Sequence, residues 1–155
     1  MTEREPISSK SQSWASSAGA RATMLGNRSR DTKPELLVRR LVHAAGLRYR
    51  VSARPENDLR RTADLLFRPA RVAVFIDGCF WHGCPVHYIR PKAHDGYWAE
   101  KVQRNRDRDA ETTRVLTERG WLVLRFWEHE DPADVAARVI SSVEARRLRR
   151  IAGAT

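Results

Sequence analysis

Apolar residues along the chain switch between helical and strand spacing, and the switches divide it into elements. Thr32-Lys33-Pro34-Glu35 offers a capping hydroxyl, a proline in the first turn and a glutamate three residues on, so a helix is predicted to begin there. Leu37, Leu41 and Ala44 recur at helical spacing, and Gly46 can end the helix. Leu47, Tyr49 and Val51 alternate with Arg48 and Arg50, which predicts a strand with one polar face, followed by a polar loop from Ser52 to Thr62. The runs Ala63–Phe67 and Val72–Ile76 flank a short turn containing Pro69 and predict a hairpin at the centre of a sheet. No regular element fits residues 79–96. Helical spacing returns from Tyr97 to Arg119, Trp121–Trp127 predicts another strand, and Asp131-Pro132 starts a last helix that faces Val135, Val139 and Val143 inward. Helix, three strands, irregular insert, helix, strand and helix describe an α/β fold with a mixed central sheet flanked by helices.

Length and composition narrow this picture. A chain of 155 residues holds one domain with short tails. Residues 1–21, rich in serine and without periodicity, are expected to form a disordered arm; residues 22–150 form the domain and 151–155 a tail. No run approaches a spanning helix and the N-terminus lacks the apolar centre of a secretory signal, so no membrane role and a cytoplasmic location are expected. With 29 Lys and Arg against 19 Asp and Glu the net charge is +10, which favours a polyanionic partner over a basic surface tuned for solubility. Between Lys101 and Arg119 the basic residues alternate with Asp107, Asp109, Glu111 and Glu118, the pattern of a solvated helix face rather than of a groove reader. Two cysteines do not make a disulfide framework.

Two anomalies carry chemistry. Asp64 interrupts an apolar strand, where a lone carboxylate is costly to bury; it is either an edge or salt-bridged residue, or a ligand. Asp77 ends the neighbouring strand, so pairing could bring both carboxylates to one sheet end, a site for a hard cation such as Mg²⁺. Glu35 could add a third carboxylate if its helix crosses that end. The second anomaly is Cys79-Phe80-Trp81-His82-Gly83-Cys84-Pro85-Val86-His87. Cys79, Cys84 and His87 are three zinc-type ligands within nine residues, and a fourth must come from His129 or His94. Unbound cysteines with incidental histidines are the alternative. His82, between the cysteines, is either a general base or a structural residue. Phe80, Trp81 and Trp98 are core aromatics or wedges that enter a duplex.

Taken together these residues resemble the very-short-patch-repair (Vsr) endonucleases. The resemblance rests on Asp64, on Val74–Pro85 with its Gly-Cys-Phe-Trp-His-Gly-Cys-Pro, and on Gly120-Trp121 through Trp127-Glu128-His129-Glu130. Met24, Arg30–Glu35 and Tyr97-Trp98 through Asn105 to Asp109 add to it. It implies a restriction-endonuclease-like core with a structural zinc held by Cys79, Cys84, His87 and His129. It further implies Mg²⁺-dependent nicking of double-stranded DNA 5′ to the thymine of a T:G mismatch, left when 5-methylcytosine deaminates. In that reading Asp64 and the backbone carbonyl of Ile76 hold Mg²⁺, His82 is the general base, and Glu35 and Asp109 support the site. Phe80, Trp81 and Trp98 enter the duplex, and Met24 reaches DNA from the other side. The implied protein is a nucleoid-associated bacterial monomer, with mismatch-repair proteins and a companion cytosine-5 methyltransferase as partners. The chain departs from many relatives at Ala63 (proline there), and from some at Asp77 (histidine) and His129 (cysteine). It has no lysine of the common nuclease signature near Asp64, which leaves the base role to His82. Two other readings compete: a restriction-like nuclease acting on matched DNA, and a non-catalytic zinc-stapled DNA-binding module.

Overall fold

The computed structural model describes residues 31–154. The expected arm at residues 1–21 and Met24 lie outside the described residues. Helix α1 (Lys33–Ala44) starts at Thr32 as the proline and glutamate predict, but the Thr32 hydroxyl makes no capping bond. Glu35 does the capping instead, accepting the Asp31 amide at 2.9 Å. Ala45 and Gly46, the latter at φ +86°, turn the chain out of the helix. The inward stripe is not Leu37, Leu41 and Ala44. Glu35, Val38, Arg39 and Val42 are buried, while Leu36, Leu37 and Leu41 lie outside. Leucines and valines occupy adjacent helix positions, so spacing alone fits two phases, and the true phase buries an ion pair (Arg39 Nη2 to Glu35 Oε2, 3.1 Å) that no apolar pattern reveals.

Strand β1 (Arg50–Ala53) begins later than the expected alternation. Leu47 is buried before the strand, and Tyr49 packs edge-on to Phe67 with its hydroxyl donating to the Arg39 carbonyl at 2.8 Å. Val51 faces outward and Ser52 adopts φ +46°, which breaks the simple two-residue period on this edge strand. Strands β2 (Ala63–Phe67) and β3 (Val72–Asp77) form the antiparallel hairpin, with Leu65 opposite Val74. After an irregular stretch come α2 (Asp95–Glu118), β4 (Leu122–Trp127) and α3 (Pro132–Ala152), which runs past the expected boundary at 150. Asp131 caps α3 by accepting the amides of Ala133 and Asp134. The sheet order is β1-β2-β3-β4, antiparallel except for the parallel pair β3–β4, in which Ile76 lies opposite Phe126.

The hairpin is central, as expected, and its strands are buried on both faces. On one face Val38 and Val42 of α1 and Val135, Val139 and Val143 of α3 pack with Leu65, Phe67, Val72, Val74 and Phe126. On the other, Leu116 of α2 and Trp121 pack with Ala63, Leu66, Ala73 and Phe75. Each such aliphatic side chain contributes about 1.5–3 kcal/mol on burial. This helix–sheet–helix sandwich makes β2 and β3 a rigid support, and an α/β nuclease-like fold results. The start of β2 and the ends of β3 and β4 meet at one edge of it, because β2 runs against the other two strands. Among the described residues no helix is long and apolar enough to cross a membrane.

Candidate active site and metal centre

That sheet edge gathers nearly every chemically notable residue. Asp64 sits second in β2, largely buried, and its Oδ2 accepts the amide of Ile76 from the adjacent strand at 2.6 Å. Burial pushes its carboxyl up to about 7; the Ile76 amide pulls it back, while the negative charges of Glu35 and Asp77 push further and Arg39 opposes them. Glu35 is 3% exposed and already paired with Arg39, so it acts on Asp64 through its charge. A buried carboxylate pressed by two like charges, with one neutral donor bound, has the chemistry of a site that wants a hard cation.

Asp77 closes β3 and is engaged differently. Arg125 Nη1 donates to both of its oxygens at 2.9 and 3.0 Å. Burial raises its carboxyl, and the charges of Arg125 and His82 pull it down without overcoming burial. Asp77 Oδ1 also lies 3.9 Å from His82 Nδ1. Asp64 and His82 therefore share Asp77 as an electrostatic neighbour and belong to the same end of the molecule.

His82 is held at one nitrogen. Its Nδ1 lies 2.5 Å from Asp109 Oδ2, a carboxylate brought in by α2. A carboxylate can only accept, so Nδ1 carries the proton, and Nε2 makes no hydrogen bond among the described residues. Burial disfavours the imidazolium, but the Asp109 hydrogen bond and the charges of Asp77 and Asp109 outweigh it and hold His82 above its ordinary value, Arg125 pulling the other way. Asp77, His82 and Asp109 converge closely enough to suit a cation on distance alone. The Arg125 guanidinium already supplies positive charge there, which makes Asp64 the better cation ligand.

The backbone that carries His82 is gripped by α2. Asn105 donates to the Trp81 carbonyl at 2.7 Å, and Arg106 donates to the carbonyls of His82 and Gly83. Gly83 has φ +62°, and a Cβ there would lie 2.6 Å from Val102 Cγ1 and 2.8 Å from Arg106 Nη2. Gly83→Ala is therefore expected to destabilise the fold by about 1–3 kcal/mol. Urea unfolding checks this, and an unchanged midpoint would show that the turn adapts.

Beside this turn, Cys79 and Cys84 are buried free thiols facing His87 and His129. Cys79 Sγ is 3.1 Å and Cys84 Sγ 3.7 Å from His129 Nδ1, and Cys84 Sγ is 3.8 Å from His87 Nδ1. Tetrahedral zinc with its usual bond lengths separates sulfur and nitrogen ligands by about 3.6 Å. These separations bracket that value, and two thiols with two imidazoles are a sufficient donor set. Burial opposes ionisation of Cys84, but the amides of His87 and Val86 and the His87 ring bring its thiol down, while burial and the neighbouring Cys84 push the Cys79 thiol up, so the pair readily offers one thiolate. His94 is not in the cluster; it precedes α2 in a left-handed conformation.

Phe80, Trp81 and Trp98 stack into one group, with ring centroids 5.2–6.0 Å apart, and Lys101 Nζ lies 5.1 Å above Trp81. Phe80 and Trp81 are half-exposed, whereas Trp98 is only 5% exposed and backs the other two.

The sequence is similar to those of known proteins. The family "DNA mismatch endonuclease Vsr" matches residues 16–87. The chain is 41% identical to the type II nicking enzyme V.NaeI of Lentzea aerocolonigenes over 128 residues, which cover 81% of this chain and 77% of that one. The chain belongs to the Vsr endonuclease family. Type II nicking enzyme V.XorIIP of Xanthomonas oryzae pv. oryzae is 39% identical over 66% of this chain and 74% of its own. DNA mismatch endonuclease Vsr of Escherichia coli (strain K12) is 33% identical over 64% of this chain and 63% of its own. As a Vsr endonuclease the protein is a DNA endonuclease, and DNA is its substrate.

The structure brings Asp64, Ile76, Asp77, His82 and Asp109 to one sheet edge, with Glu35 reaching Asp64 through its charge. Arg125, which links two of them, was not singled out from the sequence. The signal was present, since a charged residue inside the apolar run Trp121–Trp127 is the same anomaly as Asp64.

Proposed function

We propose that this Vsr endonuclease nicks one strand of double-stranded DNA 5′ to the thymine of a T:G mismatch, using Mg²⁺ and His82 as general base. The supporting observation is the Asp109–His82 pair, with Nδ1 occupied and Nε2 open, at the sheet edge that also holds the cation-seeking Asp64. Asp64 and the Ile76 carbonyl would hold Mg²⁺, which supplies neutralisation of the charge that builds on the scissile phosphate. His82 Nε2 takes a proton from the attacking water. The water oxygen bonds to phosphorus, the bond to the 3′ oxygen breaks, and that oxygen takes a proton from solvent water, giving a 5′-phosphate and a 3′-hydroxyl. Asp109 fixes the ring and stabilises the imidazolium as it forms. A T:G wobble deforms more readily than a matched pair, so inserting Phe80 and Trp81, backed by Trp98, costs less there. Zinc held by Cys79, Cys84, His87 and His129 would anchor the turn that presents these groups.

The test is a labelled duplex carrying one T:G pair, incubated with and without Mg²⁺ beside its fully matched counterpart. Mg²⁺-dependent nicking of one strand of the mismatched duplex is expected. Equal cutting of matched DNA would favour a restriction-like nuclease, and binding without cleavage a DNA-binding module. His82→Ala should lower nicking about 10²–10⁴-fold while DNA affinity stays near wild type; wild-type nicking by this variant would remove His82 from the base role.

A further inference from the structure

We propose that Arg125 is a positioning residue of the nuclease site, clamping Asp77 and Asp109 so that a single carboxylate, that of Asp109, orients His82. The inference rests on the general-base reading above and extends it. Two carboxylates face His82 Nδ1: Asp109 Oδ2 at 2.5 Å and Asp77 Oδ1 at 3.9 Å. Only Asp109 lies within hydrogen-bond distance, but a small swing of the Asp77 carboxylate or of the ring would give the Nδ1–H a second acceptor, and a restraint on Asp77 prevents it.

Arg125 supplies that restraint from β4. Its Nη1 holds both oxygens of Asp77 and also lies 3.4 Å from Asp109 Oδ1. The same guanidinium donates from Nε to the Thr113 hydroxyl at 3.1 Å and from Nη2 to the Asp109 carbonyl at 3.5 Å, tying it to α2. Its plane is supported by Phe75, whose ring centroid is 4.5 Å from Cζ. The fork therefore spans strands β3 and β4 and helix α2. It places one positive charge between two carboxylates that would otherwise repel, and it leaves Asp109 Oδ2 to His82. A lysine could match the charge but not the span.

Four variants test this: Arg125→Met, which keeps an unbranched stem beside Phe75, Arg125→Lys, Asp109→Asn, and Arg125→Met combined with Asp109→Asn. Single-turnover nicking of the T:G duplex, DNA affinity without Mg²⁺ and long-range ¹H–¹⁵N spectra of the His82 ring are compared. Arg125→Met should slow nicking about 10–100-fold with affinity held within about twofold. The Nδ1–H signal, from a proton held by one carboxylate in the wild type, should shift or broaden as a second acceptor competes for it. If Arg125 acts through Asp109, the double variant is no slower than Asp109→Asn alone. Should Arg125→Met fail to fold, Arg125→Lys carries the test, with slower nicking and a shifted or broadened Nδ1–H signal expected. A wild-type rate or an unchanged Nδ1–H signal in the folded Arg125 variants, or a double variant slowed by the product of the single effects, would overturn the proposal. Wild-type nicking by Asp109→Asn would overturn it too, whereas wild-type nicking by His82→Ala would remove the general-base reading, with the ring spectra of the Arg125 variants still judging Arg125.

Discussion

Asp64→Asn should lose nicking and gain stability. On the reading proposed above, the carboxylate is what seats Mg²⁺, and losing several kcal/mol of transition-state charge stabilisation corresponds to about 10³–10⁵ in rate. The stability change has the opposite sign. The folded-state carboxyl is raised to about 7, whereas an unfolded aspartate titrates near ~4. Below ~4 the group is neutral in both states and costs nothing. Between ~4 and ~7 the unfolded chain has already ionised and the folded protein has not, so stability falls as pH rises; above ~7 the full penalty applies. The rise from ~4 to about 7 corresponds to at most about 4 kcal/mol. Asparagine still offers the Ile76 amide an oxygen but carries no charge. In buffer without added divalent cation or chelator, the variant should therefore be more stable than wild type at pH 8 by on the order of 2–4 kcal/mol, with the gap closing toward pH 4. Added Mg²⁺ should then raise the melting temperature of the wild type alone. Thermal unfolding across this pH range decides the matter. A variant less stable than wild type at pH 8 would mean that Asp64 is a structural hydrogen-bond acceptor.

The same balance between burial and chemistry governs what could be read from the sequence. The hairpin and last helix were legible because their apolar residues obey one period and one face: Leu65, Val72 and Val74 in the sheet, Val135, Val139 and Val143 in the helix. The first helix was misphased because its buried face holds Glu35 and Arg39, an ion pair that no apolar period predicts. Asp64 stood out because a carboxylate in an apolar strand violates that period. Arg125 violates it equally, but its meaning lies in Asp77 and Asp109, which come from 48 and 16 residues away along the chain. Spacing reveals candidate ligands that are close in sequence, such as Cys79, Cys84 and His87, and cannot show which way His82 points. That orientation depends on α2 folding back to bring Asp109 and Asn105 to the turn.

Cys84→Ser should abolish zinc binding and loosen the turn that carries His82. The segment from Gly78 to His94 is irregular, and its own backbone bonds are few: His82 to Gly78, Cys84 to Cys79, Tyr88 to Cys84. Beyond these it is tied to the body by the grip of α2 on residues 81–83, by Glu128 accepting the Cys79 amide at 2.9 Å, and by the Cys/His cluster. His129 follows β4 while the other three ligands follow β3, so zinc would bolt the turn across the parallel strand pair. Structural zinc contributes folding energy directly, and a domain is stable by only about 5–15 kcal/mol. Removing one thiolate should cost on the order of 3–5 kcal/mol and lower the melting temperature by about 10–20 °C. Metal analysis should find one zinc per wild-type chain and none in Cys84→Ser, and the variant should be cut by protease within residues 78–94 before the sheet is lost. His129→Cys separates ligation from packing, because zinc accepts thiolate in place of imidazole. It should keep zinc and stability, while His129→Ala keeps neither. Equal melting temperatures for wild type and Cys84→Ser, with no zinc in either, would reduce the cluster to buried thiols beside two histidines.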